Sequence, residues 1–182
     1  MNKKQLLIAA MATVLSVTGA NATNITGVTG MDNVYDINPD KVNGDVGYRA
    51  YDNFTLSSGD IANLIYKNGL GDQRSIETFI NLVKNGVDIQ GALNTVRNGS
   101  FYNGHAVFIT PGGLTVGQCG VLNVGRLSVA TPTTSEYNTL LSEYNGNNYT
   151  NINQISKLKQ NGNAPIDIKG YVFARNGIDL PG

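Results

Sequence analysis

His105 and Cys119 are the sole histidine and the sole cysteine of this 182-residue chain, 14 positions apart. A thiol beside an imidazole is the start of a nucleophilic cysteine site, but the pair works only when a third group orients the base. Both residues fall at expected corners of the chain, and no second histidine exists to orient or ligate. One His, one Cys and carboxylates scattered singly do not make a metal-ligand spacing, so neither a metal nor a cofactor is expected. Asp88, Asp167 and Asp179 raise a second chemistry. Carboxyl groups roughly 5–9.5 Å apart can cleave glycosidic bonds, and strands stacked about 4.7–4.9 Å apart can bring two Asp that close. Asp88 and Asp167, however, read as outward polar residues with at least one strand between them. The glycine-rich segments lack the strand–loop–helix and lysine of a phosphate cradle. No catalytic residue is assigned.

The elements that would position these groups are clearest from Gly104 to Thr131. Four short strands are expected there, at 106–109, 114–116, 121–124 and 127–130. Each alternates apolar with polar or small positions, and glycine or proline separates them. Such short strands, joined without an Asn-Gly hairpin dipeptide in this stretch, suit a chain that winds in one direction and stacks strand on parallel strand. The expected fold is therefore mainly all-β, a right-handed parallel β-helix (β-solenoid) with an amino-terminal cap and short helical insertions.

The run Phe108-Ile109-Thr110-Pro111-Gly112-Gly113-Leu114-Thr115-Val116-Gly117, followed by Gly120-Val121-Leu122-Asn123-Val124-Gly125-Arg126-Leu127 and Ala130-Thr131-Pro132, resembles the core of the two-partner-secretion domain. That domain opens filamentous haemagglutinins, related adhesins and contact-dependent-inhibition exoproteins. The family's usual turn is Asn-Pro-Asn-Gly; here Thr110 and Gly112 stand where its two asparagines are expected, while Pro111 and Gly113 are kept. The likeness covers about residues 45–182. It implies recognition residues at Thr110, Pro111, Gly112 and Gly113, with Asn81 and Asn123 as further candidates, in a structural rather than catalytic role. The implied partner is an outer-membrane β-barrel transporter that meets the chain through its periplasmic domains. Downstream repeats would engage a host or bacterial surface ligand.

Composition agrees with an exported β protein. Charged residues make up 14% of the chain, tryptophan is absent, and 22 glycines supply corners. Met1-Asn2-Lys3-Lys4 is a positive start, Gln5 to Val17 an apolar run, and Ala20-Asn21-Ala22 a small-x-small cleavage site. Residues 1–22 are thus expected to be a Sec signal peptide cut after Ala22, and the apolar run is too short to span a bilayer. Without Lys3 and Lys4, 11 basic residues face 13 acidic ones, a balance of −2. No basic patch supports nucleic-acid binding.

The remaining chain, 23–182, reads as one β-helical domain. Residues 23–53 are expected to cap its first turn, because an uncovered end exposes unpaired backbone groups. Ser57 to Tyr66 suggests a short helix, with Ile61, Leu64 and Ile65 at helical spacing after capping residues. Thr78 to Val83 is read as a strand, although Ile76, Phe79, Ile80 and Val83 also fit helical spacing. Val87, Ile89 and Leu93 are expected to point inward. An insertion is expected at about 133–163, with one helix through Glu136, Tyr137, Leu140, Leu141 and Tyr144 and a second through Ile152, Ile155 and Leu158. Strands resume at Ile166, with Ile166, Ile168, Val172, Ile178 and Leu180 inward. Their pattern repeats Val87–Leu93, and the stop at Gly182 in mid-winding reads as a truncation of a longer chain.

The functional expectation is a secretion module at the start of a large surface or secreted adhesin, not an enzyme. The alternatives are a secreted β-helical carbohydrate-active enzyme and the start of an autotransporter passenger.

Overall fold

The computed structural model describes residues 22–67, 75–157 and 162–181. The expected signal peptide lies outside them except for Ala22. Among the described residues the fold is mainly β, arranged as three sheets whose pairing is largely parallel.

The first strands are β1 (Asn24–Ile25), β2 (Val34–Ile37), β3 (Lys41–Asn43), β4 (Val46–Tyr51), β5 (Phe54–Leu56) and β6 (Ile61–Ile65). There follow β7 (Thr78–Val83), β8 (Val87–Ile89), β9 (Ala92–Arg97), β10 (Ser100–Phe101), β11 (His105–Ile109), β12 (Leu114–Val116), β13 (Val121–Val124) and β14 (Arg126–Ala130). A helix, α1 (Thr134–Asn145), and a 3-10 segment, Ile152–Lys157, precede β15 (Ile166–Ile168), β16 (Tyr171–Ala174) and β17 (Ile178–Asp179).

Sheet 1 has the order β1-β5-β8-β12-β15, sheet 2 the order β2-β6-β9-β13-β16, and sheet 3 the order β3-β4-β7-β11-β14-β17. From β4 onward the chain visits sheets 3, 1 and 2 in the same cyclic order, so each strand lies beside its counterpart from the previous cycle. The four strands expected in 104–131 are β11 to β14. Among the described residues, antiparallel pairing is confined to β1 with β5, β3 with β4, the hairpin of β9 and β10, and isolated bridges. Segment 24–43 supplies the first edge strand of all three sheets.

One apolar cluster joins the inner faces of the three sheets, with Leu56, Ile89 and Val116 from sheet 1, Leu64, Leu93 and Leu122 from sheet 2, and Phe79, Phe108 and Leu127 from sheet 3. Sheet 3 is apolar on its other face too. There Tyr48, Ile80, Leu82, Val107 and Ile109 pack beneath Tyr137, Leu140 and Tyr144 of α1 and Ile152. A strand covered on both faces reads as a continuous apolar run, which is why Thr78–Val83 imitates helical spacing while being a strand.

The expected helix at 57–66 is corrected to a turn and a strand. Asp60 N–H bonds Ser57 O at 3.1 Å with Gly59 at φ +85°, so the supposed capping residues close a turn. Ile61–Ile65 then pairs in parallel with β2 and β9, burying Ala62 and Leu64. Two ladders of backbone hydrogen bonds outweigh the local preference of five residues. The helix expected after Pro132 does form. Thr133 caps α1, its Oγ1 accepting Glu136 N–H at 3.2 Å while Glu136 accepts Thr133 N–H at 2.9 Å. The second expected helix is the 3-10 segment from Ile152; Leu158 lies outside the described residues. In the last strands Ile166, Ile168 and Val172 do pack on the core. Ile178 and Leu180, expected inward, are instead 45% and 42% exposed, with no described residue packed over them.

Candidate functional site

The corner between β11 and β12 is built from Thr110, Pro111, Gly112 and Gly113. Thr110 N–H bonds Ala130 O of β14 at 2.9 Å, and its Oγ1 accepts Gly112 N–H at 3.3 Å. A threonine hydroxyl thereby closes a small turn of the type an Asn side chain also closes. Gly113 sits at φ +85°, where an added Cβ would lie 2.4 Å from Pro165 O. At Gly112 a Cβ would lie 2.5 Å from Gly86 N. The corner is thus sandwiched between 85–86 on one side and 164–165 on the other. Val87 N–H bonds Gly113 O at 2.9 Å and Leu114 N–H bonds Pro165 O at 3.1 Å. Thr110 and Gly113 are buried, Pro111 is half-buried, and Gly112 alone is exposed. With no Cβ at either glycine, three successive corners can stack backbone on backbone.

The other two sequence-predicted residues lie elsewhere. Asn81 is fully buried on the inner face of β7. Its Oδ1 accepts Tyr51 Oη–H at 2.8 Å, and its Nδ2 donates to Phe79 O and Val107 O at 3.2 and 3.1 Å. All its strong valences are used inside the molecule, while burial raises the Tyr51 phenol well above its usual range. Asn123 faces outward from β13 and bonds Asn94. The structure therefore unites the four corner residues but brings neither asparagine to them. The chain matches no family model, no curated protein and no solved structure.

His105 opens β11 in an extended strand, correcting the corner expected for it; Cys119 is exposed in the turn after β12. Parallel register sets His105 beside Arg126, and Ser128 beside Asp179. His105 Nε2 lies 2.7 Å from Ser128 Oγ, which donates to Asp179 Oδ2 at 2.9 Å. Arg126 holds the same carboxylate through Nε and a terminal nitrogen at 2.8 and 2.9 Å. A carboxylate only accepts, so the single Ser128 proton goes to Asp179 and Nε2–H of His105 donates to Ser128. That polarity is the reverse of a base activating a hydroxyl nucleophile. Burial lowers the His105 pKa first, the Arg126 charge lowers it further, and Asp179 partly opposes them. The hydrogen bond from Arg126, then that from Ser128, lowers the Asp179 carboxyl. The cluster pins three neighbouring strands; sequence spacing alone cannot reveal it because its members are 23 and 51 positions apart.

Asp88 and Asp167 stand in one row on sheet 1 with Thr115 between them. Each engages a side chain two residues on: Asp88 accepts from Gln90 at 2.7 Å and Asp167 lies 3.2 Å from Lys169 Nζ.

Proposed function

We propose that this chain is the secretion domain of a two-partner-secretion exoprotein, a right-handed parallel β-helix that opens a large filamentous-haemagglutinin-like adhesin. The observation that carries the reading is the stacked corner at Thr110–Gly113, where the family-like motif coincides with the point at which three successive cycles meet. The cyclic order of the strands supports a coil, and parallel crossovers within a sheet are right-handed in about 98% of cases. Exported by Sec, the domain meets the periplasmic domains of an outer-membrane β-barrel transporter. It crosses unfolded and folds outside, its capped first strands templating those that follow.

A reporter fused after residue 182 and co-expressed with that transporter tests the reading. Gly113→Val forces a β-branched residue to φ +85° against Pro165 O, so its combination with Pro111→Ala is expected to lower reporter secretion sharply. A matched lesion away from the motif, Leu93→Ala, controls for stability. Equal secretion by wild type and the corner variant, or equal loss in the control at matched stability, overturns the assignment.

The rival reading, a secreted carbohydrate-active enzyme, would rest on Asp88 and Asp167. Two strand spacings put them roughly 9.4–9.8 Å apart, at the upper edge for glycoside chemistry, and both carboxylates are already engaged.

A further inference from the structure

The outer face of sheet 2 carries a groove of about 1120 Å³ that the export reading does not use. Its floor is a polar ladder in register across β2, β6, β9 and β13: Asp36, Asn63, Asn94 and Asn123. Asn123 Nδ2 donates to Asn94 Oδ1 at 2.9 Å, Asn94 to Asn63 at 3.1 Å, and Asn63 to the Asp36 carboxylate at 2.9 Å. Each amide spends one N–H on its neighbour and keeps the second. The Oδ1 of Asn123 accepts from no described group. Phe101, on the β9–β10 hairpin, forms a wall with the Arg175 guanidinium 4.4 Å from its ring centre. Beyond Asn123 the ladder ends on Phe173, in register on β16 and 58% exposed, its ring parallel to that of Tyr171.

We propose that this groove binds a neutral oligosaccharide chain laid across the strands. Amides repeat along the floor at the strand spacing of about 4.7–4.9 Å, close to the length of one pyranose ring. An extended peptide advances about 3.3 Å per residue and would fall out of step. Sugar hydroxyls pair with amides, which donate and accept at once, and the apolar ring faces lie on Phe101 and Phe173. The groove's charges are one carboxylate, Asp36, and one guanidinium, Arg175, at opposite ends. Such a floor has no cationic run for an acidic glycan or a nucleic acid.

The proposal is independent of export, and purified mature protein tests it. Hexasaccharides of β-1,4-linked glucose and of β-1,4-linked N-acetylglucosamine are titrated while side-chain amide signals are followed by NMR. The Asn63, Asn94 and Asn123 signals are expected to shift with one of them. Phe173→Ala, at an exposed site, weakens that binding at least about tenfold. Ser100→Trp, which fills the groove from the exposed start of β10, abolishes it, and both variants keep the wild-type melting curve. Amide signals unmoved at millimolar sugar, affinity unchanged in both variants, or a response only to an acidic hexasaccharide or a peptide overturns the proposal.

Discussion

Two polar residues show how position outweighs residue type. Asn81 and Asn123 look alike in the sequence, yet strand parity sends the first into the core and the second to an outer face. Inside, Asn81 satisfies Tyr51 Oη and two backbone carbonyls. Buried donors left without such partners cost about 1–3 kcal/mol each. His105 carries the residue-scale prediction. Its pKa is lowered in the folded chain, whereas the unfolded imidazole titrates near 6.5. The folded state therefore binds fewer protons, and its stability is full above about pH 6.5 and falls as pH drops through the lowered value. The urea midpoint is expected to decline between pH 7 and 5. His105→Gln should flatten that part of the slope; an unchanged slope would remove His105 from the account. Asp179, also lowered, contributes in the same direction at more acid pH.

At the scale of elements, α1 is the decisive addition. It covers the second apolar face of sheet 3, and its Leu140 is 4% exposed among Ile80, Val107 and Ile109 and their neighbours. Leu140→Ala is expected to cost about 2–5 kcal/mol in chemical denaturation. Tyr137, on the same helix, buries a hydroxyl with no partner among the described residues, and burial pushes its pKa far up. Tyr137→Phe should accordingly leave stability unchanged or raise it by up to about 1 kcal/mol. A large loss in that variant would mean the hydroxyl is engaged. The hairpin of β9 and β10 belongs at this scale as well. Asn98 and Gly99 both take positive φ, as the Asn-Gly dipeptide of a two-residue hairpin turn does.

Across the whole molecule, the parallel pairs join each strand to its counterpart from an adjacent cycle, so stability is approximately a sum of neighbouring interfaces. Amide exchange is expected to be slowest in β7 and β11, which are paired on both edges, and fastest in β17, whose Ile178 is exposed. Uniform protection across sheet 3 would contradict that gradient. What the sequence by itself determined was strand content and corner chemistry. Period-2 alternation in 104–131, Pro-Gly-Gly at the corner and the helical spacing of Tyr137, Leu140, Leu141 and Tyr144 are local signals, written in nearby residues. Ser57–Tyr66 shows where local signals end, since its helical spacing lost to ladders with strands 27 and 31 positions away. Only the tertiary structure decided which asparagines stack into a ladder, which one is entombed, and that His105, Ser128 and Asp179 meet. The reason is register: parallel stacking aligns residues about one cycle apart, and turn lengths summed over each cycle set that alignment.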